Sequence, residues 1–89
     1  MIIKKLTIIN KLGLHARAAA KMVTLTNTFN CNIEVTADSK SVDGKSVMAL
    51  MLLAAAKNTS ITIKCSGSDE IIAMENICAL INNFFDEAE

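Results

Sequence analysis

The chain has 89 residues, of which 52% are hydrophobic and 20% charged, with no net formal charge. That is apolar enough to form one folded domain over residues 1–89 without metal or disulfide staples. Cys31, Cys65 and Cys78 are odd in number, widely spaced and lack a C-x-x-C pair or a second histidine. They therefore predict small buried hydrophobes in a reducing cytoplasm, not a disulfide framework or a metal site.

In chain order, Leu6 and Ile8 alternate with Lys5 and Thr7 in a first strand. Alanines follow, with Ala16, Ala19, Ala20 and Val23 on one side of a helix that starts beside His15. Cys31, Ile33, Val35 and Ala37 alternate with polar residues in a second strand. Asp38-Ser39 reads as a hairpin turn into a short third strand, Lys40 to Asp43, which Gly44 ends. A second helix runs from about Ser46 to Lys57, with Ser46 as N-cap and Asn58 as breaker. Ile61, Ile63 and Cys65 mark a fourth strand. After Gly67, Ser68 or Asp69 caps a third helix that buries Ile71, Met74, Cys78 and Ile81. The order βαββαβα predicts an α+β fold, a sheet covered on one side by three helices.

The apolar run Val47 to Ala56 is too short to span a bilayer, and Met1-Ile2-Ile3-Lys4-Lys5 has no sustained apolar stretch behind its lysines. No membrane insertion is expected, and the location expected is the cytoplasm. The neutral total hides an asymmetry: residues 1–64 hold all nine Lys and Arg but only Glu34, Asp38 and Asp43 as acids. Lys11, Arg17, Lys21 and Lys45 are expected to surround His15 with positive potential, which favours an acidic partner or an anionic group. Nucleic acid is excluded, because Phe29, Phe84 and Phe85 are the only aromatics and single strands bind on stacking rings interleaved with cations.

His15 is the one histidine, in Gly13-Leu14-His15-Ala16-Arg17. The first N–H groups of a helix lack partners within it and, with the dipole, attract an anion. A phosphoryl group on the imidazole would meet the amides of Ala16, Arg17 and Ala18, and Arg17 adds a guanidinium fork. Local chemistry leaves two readings open, a nucleophile or a capping or surface histidine. A lone histidine at a helix start is more often the latter; with no Asp or Glu in this segment no hydrolytic triad is evident, and among functional roles a group carrier, which needs less, fits better than hydrolysis.

Asn10-Lys11-Leu12-Gly13-Leu14-His15-Ala16-Arg17, then Gly44-Lys45-Ser46-Val47-Met48-Ala49-Leu50-Met51 and Ala56-Lys57-Asn58, resemble the HPr family. These are histidine-containing phosphocarriers of the bacterial phosphoenolpyruvate:phosphotransferase system. The resemblance implies a four-stranded antiparallel open-faced sandwich, with His15 accepting a phosphoryl group on Nδ1 from phosphorylated enzyme I and passing it to an enzyme IIA domain. It further implies Arg17 as charge partner and Ser46 as a regulatory serine open to an HPr kinase/phosphorylase, against the plain reading of Ser46 as a helix cap. No cofactor or metal is implied, and a monomer is expected.

The partner surface implied comprises Leu14, Ala20, Lys21, Val47, Met48 and Met51, because the second helix carries more apolar residues than one core stripe needs, with Lys21 and Lys45 as rim. Ala18 stands where the family usually has proline, which restores an N–H and loosens the site's backbone. Leu12 stands where a small polar residue is frequent, and so is available to a partner. The acidic end Phe85-Asp86-Glu87-Ala88-Glu89 resembles the nitrogen-related branch of the same system, an alternative to sugar uptake. A protein-binding regulator without phosphoryl transfer is disfavoured by the presence of His15.

Overall fold

Alternation of apolar and polar residues decides which face of each strand meets the core. The computed structural model describes residues 1–89. It holds strand β1 (Ile2–Thr7), helix α1 (Ala16–Thr26), strands β2 (Asn32–Ala37) and β3 (Lys40–Asp43), helix α2 (Val47–Leu53), strand β4 (Ser60–Ser66) and helix α3 (Glu70–Asn82). A 3-10 turn, Phe84–Asp86, follows α3. The sheet is antiparallel with strand order β1-β4-β2-β3. Ile33 and Val35 of β2 and Ile61, Ile63 and Cys65 of β4 point inward, while Asn32, Lys5 and Thr7 stay exposed. The helices cover the inward face. No helix is long and apolar enough to cross a membrane.

Local chemistry closes the turns. Asp38 and Ser39 both take positive φ, 49° and 68°, the geometry that matches a two-residue hairpin to strand twist. Ser46 caps α2 by accepting a hydrogen bond from the Ala49 amide at 3.2 Å. Cys31 and Cys65 are buried. Burial and the neighbouring Cys31 push the Cys65 thiol up to about 11, which keeps it protonated and apolar.

Three expectations are corrected in detail. The buried side of α1 is Ala18, Ala19, Met22, Val23 and Thr26, so Ala16 and Ala20 face solvent. Small residues on all sides of this helix leave periodicity unable to choose the face. In α3 the buried set is Ala73, Met74, Ile77 and Ile81; Ile71 is 63% exposed and Cys78 only half-buried. Helix α2 ends at Ala54, in left-handed conformation, well before Lys57. The chain turns there because the Ala55 carbonyl accepts from the Leu14 amide at 2.8 Å. Asn58 instead holds a left-handed position in the turn before β4, its amide donating to the Ile8 carbonyl.

The same contact fixes Gly13. Its φ is +68°, and a Cβ there would lie 2.6 Å from the Ala55 carbonyl oxygen, so both conformation and space require glycine. Gly13→Ala is expected to cost about 2–4 kcal/mol from left-handed strain and overpacking together. Thermal unfolding checks this, with the midpoint falling by at least about 10 °C.

Candidate functional site

His15 is the N-cap residue of α1 in extended backbone, but its ring makes no capping bond to its own helix. The amides of Ala16, Arg17 and Ala18 consequently have no backbone acceptor; the first amide satisfied is Ala19, which donates to the His15 carbonyl at 2.8 Å. The ring turns toward the chain's end, where Nε2 lies 2.5 Å from Glu87 Oε2. A carboxylate oxygen only accepts, so Nε2 carries the proton. In the neutral ring the lone pair then resides on Nδ1.

Glu87 is itself held. The buried Asn10 amide donates from Nδ2 to Glu87 Oε1 at 2.9 Å and to the Gly13 carbonyl at 2.8 Å. Burial pushes the Glu87 carboxyl up, but the hydrogen bonds from Asn10 and His15 and the fields of His15 and Arg17 outweigh it and hold the group below its ordinary value. Asp86 pairs with Lys21 at 3.6 Å and Glu89 with Lys11 at 3.5 Å. Between this acidic end and the start of α1 lies a cleft of about 440 Å³ bordered by Lys11, Leu12, Arg17 and Lys21.

Of the residues expected at the site, His15 is half-buried, and Arg17, Ala20 and Lys21 are exposed on α1. Met48 (71% exposed), Met51 (42%), Leu52 and Leu12 are also exposed, and Val47 is half-buried. Helix α2 packs against α1, so Val47, Met48, Met51 and Leu52 stand on a neighbouring element, while Leu12 lies in the turn before α1. Leu14 is corrected: at 4% exposure it is a core residue. Lys45 does not line this cleft: its Nζ donates to the Phe29 carbonyl at 2.6 Å, and it borders another cleft with Asn32 and Lys64. Ser46 is a half-buried cap.

The absence of an acid beside His15 in sequence is overturned in space, because Glu87 arrives from 72 residues away. Asn10 and Glu87 were missed as site residues. The one signal in the sequence was charge, a basic front half against an acidic end. No three or more His, Cys, Asp or Glu side chains converge as a metal site.

A carboxyl held low in the folded state stabilises the fold above the ordinary carboxylate range, and that contribution is lost as pH falls through the lowered value. The parent is expected to melt higher than Glu87→Gln at about pH 6, with the gap narrowing toward about pH 3. Thermal melts across that range check the sign.

Comparison with known proteins identifies relatives over nearly the whole chain. The family model described as the PTS HPr component phosphorylation site matches residues 2–83. The chain is 53% identical over 87 residues to phosphocarrier protein HPr of Pseudomonas putida, covering 97% of each. It is 40% identical over 85 residues to phosphocarrier protein NPr of Shewanella violacea, covering 96% of this chain and 93% of that one. Among solved structures, HPr-C-His from Thermoanaerobacter tengcongensis superposes with a TM-score of 0.96 over 100% of both chains at 35% identity. An antiparallel sheet of this order, three helices on one face, a histidine opening the first of them and a family match over nearly the whole length lead to one assignment: the chain belongs to the HPr family of phosphotransferase-system phosphocarriers.

Proposed function

We propose that His15 accepts a phosphoryl group on Nδ1 from phosphorylated enzyme I and surrenders it to an enzyme IIA domain, in service of sugar uptake. The observation that carries this reading is the Nε2–H hydrogen bond to Glu87, which leaves the Nδ1 lone pair as the ring's nucleophile. As the Nδ1–P bond forms, the donor's bond to phosphorus breaks, and Glu87 faces the cationic ring that results. Arg17 and the amides of Ala16, Arg17 and Ala18 receive the phosphoryl oxygens. The chain is a carrier working as a monomer, without cofactor, and the turnover chemistry belongs to its partners.

Enzyme I and enzyme IIA compete for one face, apolar at Val47, Met48 and Met51 and basic at Arg17 and Lys21, with Ala20 between. Exposed methionines suit it, since their flexible thioethers repack against different partners. A phosphate placed on Ser46 by an HPr kinase/phosphorylase would add roughly −1.5 to −2 charges beside this face and weaken an acidic partner. A second reading, the nitrogen-related branch, is favoured by the likeness to NPr of Shewanella violacea and by the acidic end.

His15→Ala is expected to abolish acid-labile phosphorylation by phosphoenolpyruvate and enzyme I, read by intact mass. Unchanged acid-labile phosphate on that variant sinks the reading, because the chain has no other histidine. Running enzymes I of the sugar and nitrogen branches in parallel separates the two branches. Arg17→Ala, removing one charge-assisted partner of the group in flight, is expected to slow transfer about tenfold to a hundredfold with the fold intact. Stopped-flow transfer and circular dichroism check both halves of that statement.

A further inference from the structure

The end of the chain does more than reach His15. After α3 the backbone takes three successive positive φ values, 60° at Phe84, 52° at Phe85 and 62° at Asp86, none of them at glycine. Such a left-handed run is unfavourable for L-residues and persists only where its surroundings hold it. Here the hold has two parts. Phe85 is fully buried in the core and anchors the run. Beyond it, Asp86, Glu87 and Glu89 reach Lys21, His15 with Asn10, and Lys11 respectively.

The anchor and the reach differ in strength. Lys11 and Glu89 have side chains 64% and 73% exposed, and Lys21 and Asp86 42% and 50%. Pairs exposed to this degree shift an equilibrium by no more than about fivefold each, and salt screens them. Arg17, which borders the same cleft, has no ion pair within the chain. The acids of the segment therefore sit on the cations that an incoming acidic partner needs, on contacts weak enough to exchange.

We propose that the side chains of Asp86 and Glu89 form a tethered acidic strap that covers the cationic rim at Lys11 and Lys21, beside Arg17, in the free protein and lets go when an acidic partner docks, while Glu87 keeps its bond to His15. This rests on the carrier reading above. The strap lowers apparent partner affinity by the fraction of molecules in which it is closed. It also denies the rim to weaker polyanions, since only a partner that supplies carboxylates together with apolar contacts displaces it. Phe85 stays buried and Glu87 stays on His15 throughout, so only the Asp86 and Glu89 side chains let go.

The test is the rate of His15 phosphorylation by phosphoenolpyruvate and the cognate enzyme I, as a function of carrier concentration, at low and high salt. Asp86→Asn/Glu89→Gln leaves Glu87 and its bond to His15 in place. This double variant is expected to lower the half-saturating concentration roughly two- to tenfold at low salt, with the difference gone near 1 M salt. Asp38→Asn/Glu75→Gln removes the same charge at exposed positions that do not border the cleft, and is expected to leave half-saturation unchanged. The side-chain carboxyl carbons of Asp86 and Glu89, read by NMR on 13C-labelled carrier, are expected to shift when unphosphorylated enzyme I binds, as their pairs with Lys21 and Lys11 break. Equal half-saturation for the parent and the strap variant, an equal gain in the charge-matched control, or Asp86 and Glu89 carboxyl signals that stay unmoved on docking each overturn the strap while the carrier reading stands. A parent chain that takes no acid-labile phosphate overturns the carrier reading and the strap with it.

Discussion

One buried amide joins the two ends of the chain. Asn10 Nδ2 donates both to the Gly13 carbonyl, which shapes the turn before α1, and to Glu87, which orients the imidazole. Position and tautomer of His15 thus share one donor group. Fully buried, that amide makes bonds little weakened by competition with water, and a lost partner there costs more than the bond itself. The Leu14 amide bond to Ala55 completes the arrangement by tying the turn to the end of α2.

Local stability is given up for this. Serine, threonine, asparagine or aspartate is the ordinary start of a helix and contributes about 1 kcal/mol there, whereas histidine caps nothing at α1. The chain uses the ordinary solution at α2, where Ser46 closes on Ala49. The contrast between the two helix starts fits the proposed carrier role: the amides opening α1 are free for an anion, whereas Ser46 closes the start of α2. Replacement of the usual proline by Ala18 fits the same logic, since it leaves one more open donor at that end.

Strand alternation, the hairpin at Asp38-Ser39, the Ser46 cap and the element order were all legible, because each depends on residues within a few positions of one another. Helix faces were not. In α1 small alanines satisfy either rotation, and in α3 Ile71, Ile72, Ile77 and Cys78 spread apolar side chains around the axis, so the packing partners decided. The end of α2 escaped for a similar reason: Ala54 carries no sign of a left-handed cap, and the Leu14–Ala55 bond imposes it. At the site, His15 and Arg17 announce themselves by type and spacing. Glu87 carries no such mark, being one acid among several in an acidic end, and only the fold brings it to the ring.

The strand order has a further consequence in time. β1 pairs with β4 alone, through Ile2 against Cys65 to Thr7 against Ser60. During synthesis at about 5–20 residues per second, the first strand waits several seconds for its neighbour, while α1 and the β2–β3 hairpin can begin to form on contacts within themselves. Over that interval Ile2, Ile3 and Leu6 form an unpaired apolar edge. Lys4 and Lys5 sit within it, and charge on an unpaired strand discourages pairing with the wrong chain. β1 stays at the edge of the finished sheet, so the same two exposed lysines blunt that edge after β4 has arrived as well as before.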